Sequence, residues 1–203
     1  MLSLNDIRVE AADFLDRYHS ESTIPVPIEE IVEFDFELEL VPVPGIKDEL
    51  AVDAFLTSDL KSIYIDEFVL QHVPVRYRFS LAHELAHYWL HQDLYLGTSI
   101  RSVADYRRVQ EAIGAEEYRW LEWQANTFAG LVLVPEPALK DEFDRTVKVA
   151  YDAGLSRKQV ESFPARQRIA QVIAGKFGVS EQVAAIRLEK DGHLPPLLQG
   201  QQD

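Results

Sequence analysis

One five-residue pattern in the chain has the residue types and the spacing of a metal-dependent hydrolase. His83, Glu84 and His87 form the sequence His-Glu-x-x-His. On a helix, His83 and His87 lie about one turn apart on the same face, so both imidazoles can bind one metal ion. Glu84 points to the side of that pair, where a carboxylate can accept a proton from water without becoming a ligand. The pattern therefore predicts metal-assisted hydrolysis with Glu84 as the catalytic base.

The residues around this pattern predict that it lies on a helix. The segment 75–96 contains neither glycine nor proline. Apolar residues recur in it at helical spacing, namely Phe79, Ala82, Ala86, Leu90 and Leu94. The alternative interpretation is two ordinary histidines on a buried helix. It is disfavoured because buried imidazoles beside a buried carboxylate need partners that offset their desolvation.

A third metal ligand has to come from elsewhere in the chain. A catalytic zinc site normally has three protein ligands and one position for water, and this chain has no cysteine. Glu122 is the best candidate because it lies on a second strongly helical segment, with Asn126 one turn further on the same face. The Asn126 amide can then orient a metal ligand. Glu116 and Glu117 remain alternatives, although first-turn acids are usually solvated.

Two residues that follow His87 are weaker candidates for the third ligand. Asp93 stands where a metzincin-type site has its third histidine, but Leu90 replaces the glycine that such a site needs for its turn. His91 lies four residues beyond His87, at the edge of the metal's reach. We expect His91 to support the site from the end of the helix rather than to bind the metal.

Composition limits the class of protein and its partners. The chain has 203 residues, of which 47% are hydrophobic and 27% are charged, as in ordinary globular proteins. Its formal net charge of -14 disfavours nucleic acid and anionic membrane surfaces as partners. The absence of cysteine excludes disulfides and thiolate ligands. The start of the chain does not resemble a signal peptide, and no apolar run is long enough to span a bilayer. The cytoplasm is the simplest location.

Hydrophobic periodicity predicts both helices and strands. Amphipathic helices are expected over 4–19, 28–33, 116–134 and 137–153. Alternating or β-branched segments predict strands over 34–40, 51–57 and 62–66, which would form a mixed or antiparallel sheet. An edge strand of that sheet, lying beside the metal-binding helix, can bind an extended peptide by main-chain hydrogen bonds.

The C-terminal segment 155–194 has a different charge and a different pattern. It contains seven Lys or Arg against four Asp or Glu, a net charge of +3. Its order of helix, tight turn and second helix is that of a helix-turn-helix. We favour a structural lobe over DNA binding, because the second helix carries only Arg187 and Lys190 as cations. Glu181 and Glu189 lie beside them and oppose phosphate contacts.

Two motifs together carry a family resemblance. The segment from Arg78 to His87, then Glu122-x-x-Ala125-Asn126 and the Leu-Val-Leu-Val-Pro that ends at Pro135, resembles the ImmA/IrrE family of zinc metallo-endopeptidases. The resemblance covers roughly residues 4–137. Its departures are mild: Ala86 stands where glycine is common, and Val134 stands where methionine is common. Neither departure touches a ligand position.

The resemblance implies a gluzincin-like site and a regulatory substrate. One zinc ion per chain would be held by His83, His87 and Glu122, with Glu84 activating water, although manganese or iron can occupy such a site. Members of the family cleave helix-turn-helix repressors of phage, mobile-element or stress-response systems. The expected function is therefore a zinc endopeptidase in transcription regulation. The alternative is a non-catalytic transcription regulator or protein-interaction module with a structural or degenerate metal site.

These inferences together predict an α+β fold. A zincin-like metallopeptidase domain over 1–153 would carry a small mixed or antiparallel sheet packed on helices. A small helical lobe would occupy 154–194 and a flexible tail 195–203. A hydrogen-bond donor for the oxyanion is also expected. The sequence does not choose among the available donors, which are Tyr88, Tyr95, His91, His72 and Arg107.

Overall fold

The computed structural model describes residues 2–194, and the predicted tail at 195–203 lies outside them. The chain divides into two compact units. The first unit contains residues up to Glu21 and Pro27–Val132, and the second contains Ser22–Val26 and the described residues from Leu133 onward. The predicted domain boundary at 153–154 falls within the second unit and stays a prediction.

Helices form most of the described chain. Their bounds are α1 (Leu4–Tyr18), α2 (Ile28–Glu30), α3 (Ile46–Leu50), α4 (Glu67–His72), α5 (Pro74–Leu90), α6 (Gln92–Leu96), α7 (Val103–Ala112), α8 (Ala115–Leu133), α9 (Glu136–Asp152), α10 (Arg157–Val160), α11 (Phe163–Phe177) and α12 (Glu181–Lys190). Among the residues that the structure describes, no helix has both the length and the apolar character that a membrane span requires.

The first unit contains one three-stranded mixed sheet with the order β1-β3-β2. Strand β1 (Glu39–Val43) runs parallel to β3 (Ser62–Asp66), and β2 (Ala54–Leu56) runs antiparallel to β3. The α+β fold class, with its small sheet and its helical C-terminal part, is confirmed. Strand β2 is an edge of the sheet, and the contacts between β2 and α5 place this edge beside the helix that carries His83.

The first predicted strand is misplaced. Instead of a strand over 34–40, Ile31–Asp35 forms a π-helical turn, and β1 begins only at Glu39. Phe34 is 74% exposed, so the apparent alternation did not mark one buried face. Pro42 lies inside β1, which is possible because β1 is an edge strand and tolerates a missing N–H.

An aromatic cluster holds the helices of the first unit together. The ring of Phe14 on α1 lies 5.5 Å from the rings of both Trp89 on α5 and Phe128 on α8. The Trp89 indole N–H donates a hydrogen bond of 2.9 Å to the carboxylate of Glu10 on α1. Because α5 and α8 carry the predicted metal ligands, this cluster fixes the two helices that the site needs.

A salt bridge also ties α5 to a neighbouring helix. Arg78 Nη1 lies 2.7 Å from Glu29 Oε2 on α2, and both side chains are largely shielded from solvent. The guanidinium therefore braces α5 near its N-terminal end, five residues before His83.

The second unit shows the helix-turn-helix order that the sequence predicts. Helix α11 ends at Gly178, whose φ of 63° lies in the left-handed region that favours glycine. The Ser180 hydroxyl then accepts a hydrogen bond from the Val183 N–H and caps α12.

We expect Phe14→Ala to destabilise the first unit by about 3–5 kcal/mol, because it removes a fully buried ring from the aromatic cluster. Urea denaturation followed by tryptophan fluorescence measures this loss, since Trp89, Trp120 and Trp123 all lie in the first unit. Val9→Ala on the same helix is the control, because Val9 is 68% exposed, and it should change stability by less than about 0.5 kcal/mol. Equal effects of the two substitutions would contradict the assignment of Phe14 to the core.

Candidate metal centre

Helix α5 presents its two histidines from a well-anchored position. Pro74 occupies the first turn, where its fixed φ suits helix initiation. Leu81 and Leu85 are fully buried and anchor one side of the helix in the core. The His-Glu-x-x-His pattern lies on a helix, as predicted; this helix ends at Leu90, and the rest of the glycine- and proline-free segment 75–96 contains a second helix, α6.

The three predicted ligands converge on one point. The Nε2 atoms of His83 and His87 lie 3.2 Å apart. Glu122 on α8 places Oε2 3.3 Å from His83 Nε2 and Oε1 3.4 Å from His87 Nε2. We call these three residues the His-His-Glu group. Donor atoms of all three lie within 4.8 Å of one another, so the group could hold a metal ion.

These separations suit a small divalent cation. Ligand bonds of about 2.0–2.1 Å at tetrahedral angles place donor atoms about 3.3 Å apart, which matches the observed spacing. Two imidazole nitrogens and one carboxylate also form a donor set that zinc binds well.

The charges of the group also favour a cation. Burial opposes ionisation of Glu122, yet its hydrogen bonds with His83 and His87 lower its pKa, so the carboxylate stays negative. Burial likewise opposes a charge on His83, yet its hydrogen bond with Glu122 and the charge of Glu84 raise its pKa. The lowered pKa of Glu122 and the raised pKa of His83 both indicate that the site favours positive charge. A bound metal ion would provide that charge.

Asn126 lies beside the ring nitrogen of His83 that does not contact Glu122. The Asn126 Oδ1 and His83 Nδ1 atoms lie 3.2 Å apart, so the amide oxygen can accept the Nδ1 hydrogen. That hydrogen bond leaves the Nε2 lone pair of His83 for a metal ion. Asn126 therefore lies where it can fix both the tautomer and the orientation of the His83 ring.

His91 supports His87 in the same manner, through a buried chain of hydrogen bonds. His87 Nδ1 lies 3.0 Å from His91 Nδ1, and His91 Nε2 lies 3.4 Å from Gln124 Oε1. Burial lowers the pKa of His91 to about 4, so its ring is neutral near pH 7. A neutral His91 can accept the hydrogen of His87 Nδ1 and donate its own to Gln124, which leaves His87 Nε2 for a metal ion.

Glu84 contacts the edge of the sheet rather than the three donors. Its Oε2 accepts a hydrogen bond of 2.8 Å from the backbone N–H of Leu56 in β2. Burial raises the pKa of Glu84, which makes its carboxylate a stronger base than an exposed one. Glu84 is thus positioned by a backbone amide, beside the ligands but not among them.

The alternative ligands lie away from the His-His-Glu group. Glu116 and Glu117 are exposed on the first turn of α8, and Asp93 is exposed on α6. Within the described residues, the group that could hold a metal contains only His83, His87 and Glu122.

The possible oxyanion donors are scattered. His72 lies against Phe68 on α4, and Arg107 binds the backbone and side chain of Glu49. The ring of Tyr95 packs 5.2 Å from that of His87. Tyr88 packs against Phe36, at a ring separation of 5.1 Å, and both residues are half-buried.

Three contributors to the site were missed by sequence reasoning. Gln124 is buried, and its polar side chain at a core position of α8 was a usable signal. Tyr118 borders the same space as Glu122 and lies one turn before it on α8, so helical spacing also pointed to it. The contact of the Leu56 N–H with Glu84 could not be predicted from sequence, because every residue except proline has a backbone N–H and only the fold decides which one meets Glu84.

A known protein family matches the part of the chain that contains this site. The family model of the IrrE N-terminal-like domain, peptidase M78, matches residues 51–189, which include the whole His-His-Glu group. The chain belongs to this family. Membership of the family supports peptidase-type activity, and the His-His-Glu group fits metal dependence.

A solved structure shares the fold of this IrrE N-terminal-like chain. The Mycobacterium tuberculosis transcriptional regulator is 14% identical, with a TM-score of 0.55. The similarity covers 91% of this chain but only 46% of the regulator, so this chain spans less than half of that protein's length. Comparison with curated proteins found no match.

We expect purified wild-type protein to hold about one zinc ion per chain and Glu122→Ala to lose it, because the substitution removes one of three donors. Glu84→Gln should keep the zinc, since Glu84 contacts Leu56 instead. Glu117→Ala is the control for a lost acid on the same helix. Metal content measured by mass spectrometry decides the outcome. Zinc retained in Glu122→Ala would exclude Glu122 as a ligand.

We expect Asn126→Ala and His91→Ala to weaken zinc affinity by about 10–100-fold each, because they remove the partners that orient the two ligand imidazoles. Competition with a chromophoric chelator measures the affinity. Unchanged affinity in both variants, with circular dichroism unchanged, would show that neither hydrogen bond orients a ligand.

Proposed function

We propose that this chain is a zinc-dependent endopeptidase that cleaves a regulatory protein in the cytoplasm, with a helix-turn-helix transcriptional repressor as the substrate class. The observation that carries the proposal is the convergence of His83, His87 and Glu122 at 3.2–3.4 Å, next to a buried Glu84. Membership of the IrrE N-terminal-like family supports peptidase chemistry.

The chain's own residues divide the work of peptide hydrolysis. His83, His87 and Glu122 would hold the zinc ion, which would supply Lewis-acid chemistry at the scissile carbonyl and lower the pKa of a bound water. The Glu84 carboxylate accepts the proton of the attacking water and passes it to the leaving amine. The Leu56 N–H holds Oε2 of Glu84, so the carboxylate keeps one orientation through both transfers.

The sheet edge suits a polypeptide substrate. Because Leu56 donates to Glu84, its backbone N–H faces away from β3 and towards the site. The next outward N–H, that of Ser58, donates to the Ile100 carbonyl oxygen. Because both N–H groups are already bonded, an extended peptide laid along β2 beside the proposed base would be held through the outward carbonyl oxygens of the strand.

The charge of the chain suits a basic substrate. Its formal net charge is -14, and a DNA-binding repressor carries a positive surface. Opposite charges raise the rate at which such partners meet. This charge complementarity supports the substrate class but does not identify a particular repressor.

The rival function is DNA binding or protein interaction without catalysis, and the helix-turn-helix order of α11 and α12 favours it. The cations of α12 oppose it, because only Lys190 of the two is exposed. Arg187 is only 4% exposed, lies 2.8 Å from Asp191, and donates a hydrogen bond to the Val134 carbonyl oxygen. A buried, paired guanidinium cannot reach a phosphate without breaking these contacts. We therefore propose a structural or substrate-binding role for this lobe.

The proposal is tested by comparing zinc-loaded wild type with Glu84→Gln on a bacterial proteome. New N-termini should appear with wild type, and their rate of formation should fall at least about 100-fold in the variant, because general base catalysis supplies about that factor or more. Mass spectrometry of labelled N-termini identifies the cleaved proteins.

The metal content of both proteins controls this experiment, since Glu84→Gln must hold as much zinc as wild type. Equal cleavage by the two would exclude Glu84 as the base. No cleavage by zinc-loaded wild type, together with salt-sensitive binding of duplex DNA in fluorescence anisotropy, would favour the rival function.

A further inference from the structure

The segment between α6 and α7 crosses the free edge of the sheet just beyond strand β2. The N–H of Ser58 donates a hydrogen bond of 2.9 Å to the Ile100 carbonyl oxygen, and the Ser58 hydroxyl donates to the same oxygen at 3.2 Å. Thr57 donates to Ser62 on the β3 side, so the N–H groups of Leu56 and Ser58 both point outward. We call residues 97–102 the α6–α7 strap. The strap therefore pairs with the same edge along which an added peptide strand would lie.

The Ile100 side chain holds the middle of the strap against the first unit. Ile100 is only 3% exposed, and it borders the space that His87 and Glu122 also border. Its neighbours Ser99 and Arg101 are exposed. The middle of the strap is therefore held by one buried side chain and by one carbonyl oxygen.

The two ends of the strap are bonded to their own helices. At the first end, the Thr98 hydroxyl donates to the Tyr95 carbonyl oxygen at 2.8 Å. At the second end, the Asp105 N–H donates to the Ser102 hydroxyl, and the Arg101 N–H donates to the Asp105 carboxylate, each at 3.2 Å. These bonds do not involve β2, so they remain when the middle of the strap leaves it. The strap can therefore open locally while α6 and α7 stay folded.

We propose that the α6–α7 strap is an autoinhibitory element, which occupies the sheet edge when closed and which a polypeptide substrate must displace. The proposal rests on the proposed function, because it takes the β2 edge as the place where the substrate lies. The closed strap satisfies the Ser58 N–H with the Ile100 carbonyl oxygen, and a substrate strand would satisfy it with a carbonyl oxygen of its own. Strap and substrate thus compete for one donor, so the apparent affinity for a peptide falls as the closed fraction rises.

Competition of this kind depends on the length of the ligand. Acetohydroxamate can bind a zinc ion at the His-His-Glu group, but it has no peptide chain that could lie along β2. Tetra-alanyl hydroxamate carries the same metal-binding group on a main chain that can pair with the sheet edge. Opening of the strap should therefore favour the tetra-alanyl compound and leave acetohydroxamate unaffected.

Substitutions at Ile100 test the strap through ligand binding, without turnover. Calorimetry measures the affinity of the zinc-loaded full chain for both hydroxamates. Ile100→Ala should raise the affinity for the tetra-alanyl compound relative to acetohydroxamate at least about tenfold, because loss of most of a buried isoleucine weakens the closed strap by that order or more. Ile100→Val should raise the same ratio at least about twofold, and it decides the outcome if Ile100→Ala does not fold.

Ile113→Ala is the matched control for these variants. Ile113 borders the same space as Ile100, but its N–H donates to the Val109 carbonyl oxygen in α7. The substitution therefore removes the same atoms beside the site without loosening a contact to β2, and the ratio of the two affinities should stay within about twofold of wild type. The zinc content of every variant is measured in parallel.

Tryptic cleavage after Arg101 reports the open strap directly and does not require zinc. Arg101 is exposed and follows Ile100, so its peptide bond becomes a better substrate for trypsin when the strap leaves β2. Cleavage at this bond, followed by mass spectrometry, should be at least about threefold faster in Ile100→Ala than in wild type, because proteolysis tracks the population of the open form. Tetra-alanyl hydroxamate should accelerate the same cut in zinc-loaded wild type, and acetohydroxamate should not.

Failure of this proposal and failure of the proposed function give different results. If zinc-loaded wild type binds both hydroxamates but neither variant at Ile100 changes their ratio, the strap does not compete with a peptide, and the proposal is overturned while the metal centre stands. An equal gain in Ile113→Ala would also overturn it, because looser packing would then be the cause. If wild type binds neither zinc nor either hydroxamate, the proposed function fails, and the strap proposal with it.

Discussion

The structure depends on bringing two imidazoles and a carboxylate from two separate helices within 3.2–3.4 Å of one another. Such a cluster is costly in a protein interior unless a cation or hydrogen bonds offset the desolvation of its polar atoms. Helices α5 and α8 must therefore be held rigidly. The aromatic cluster centred on Phe14 does this, because that one ring contacts both Trp89 of α5 and Phe128 of α8.

Packing positions the two helices, and hydrogen bonds to the far ring nitrogens of His83 and His87 then orient the two imidazoles. Asn126 faces the far nitrogen of His83, and His91 faces that of His87 with Gln124 behind it. These partners determine which nitrogen of each ring carries the hydrogen, and so which lone pair remains for a metal ion. A site whose three donors stood at the right distances but with the wrong tautomers would bind metal poorly.

The sheet takes part in the proposed chemistry as well as in the fold. The Leu56 N–H of strand β2 donates a hydrogen bond to Glu84, and the free edge of β2 lies beside the site. The proposed base therefore lies next to the proposed peptide-binding edge, because one hydrogen bond joins them.

Much of this protein is determined by local sequence. The spacing of His83 and His87 requires only a helix, and the capping and turn residues of α11 and α12 require only their neighbours, so both could be predicted. Glu122 with Asn126 was also accessible, because i, i+4 spacing brings two side chains to one helix face. The strand predicted over 34–40 was wrong. Alternation of apolar and polar residues gives the residue types, but it does not show which side chains the fold buries.

Tertiary structure alone decided the rest. No local signal says that α8 lies across α5 at the distance a metal needs, that the N–H of Leu56 meets Glu84, or that Arg187 is buried against Asp191. Nor does it show that residues from α6, α7 and α8 enclose one apolar space beside His87. These features join residues far apart in the chain, and their contacts arise only from the packing of the whole unit around a shared core.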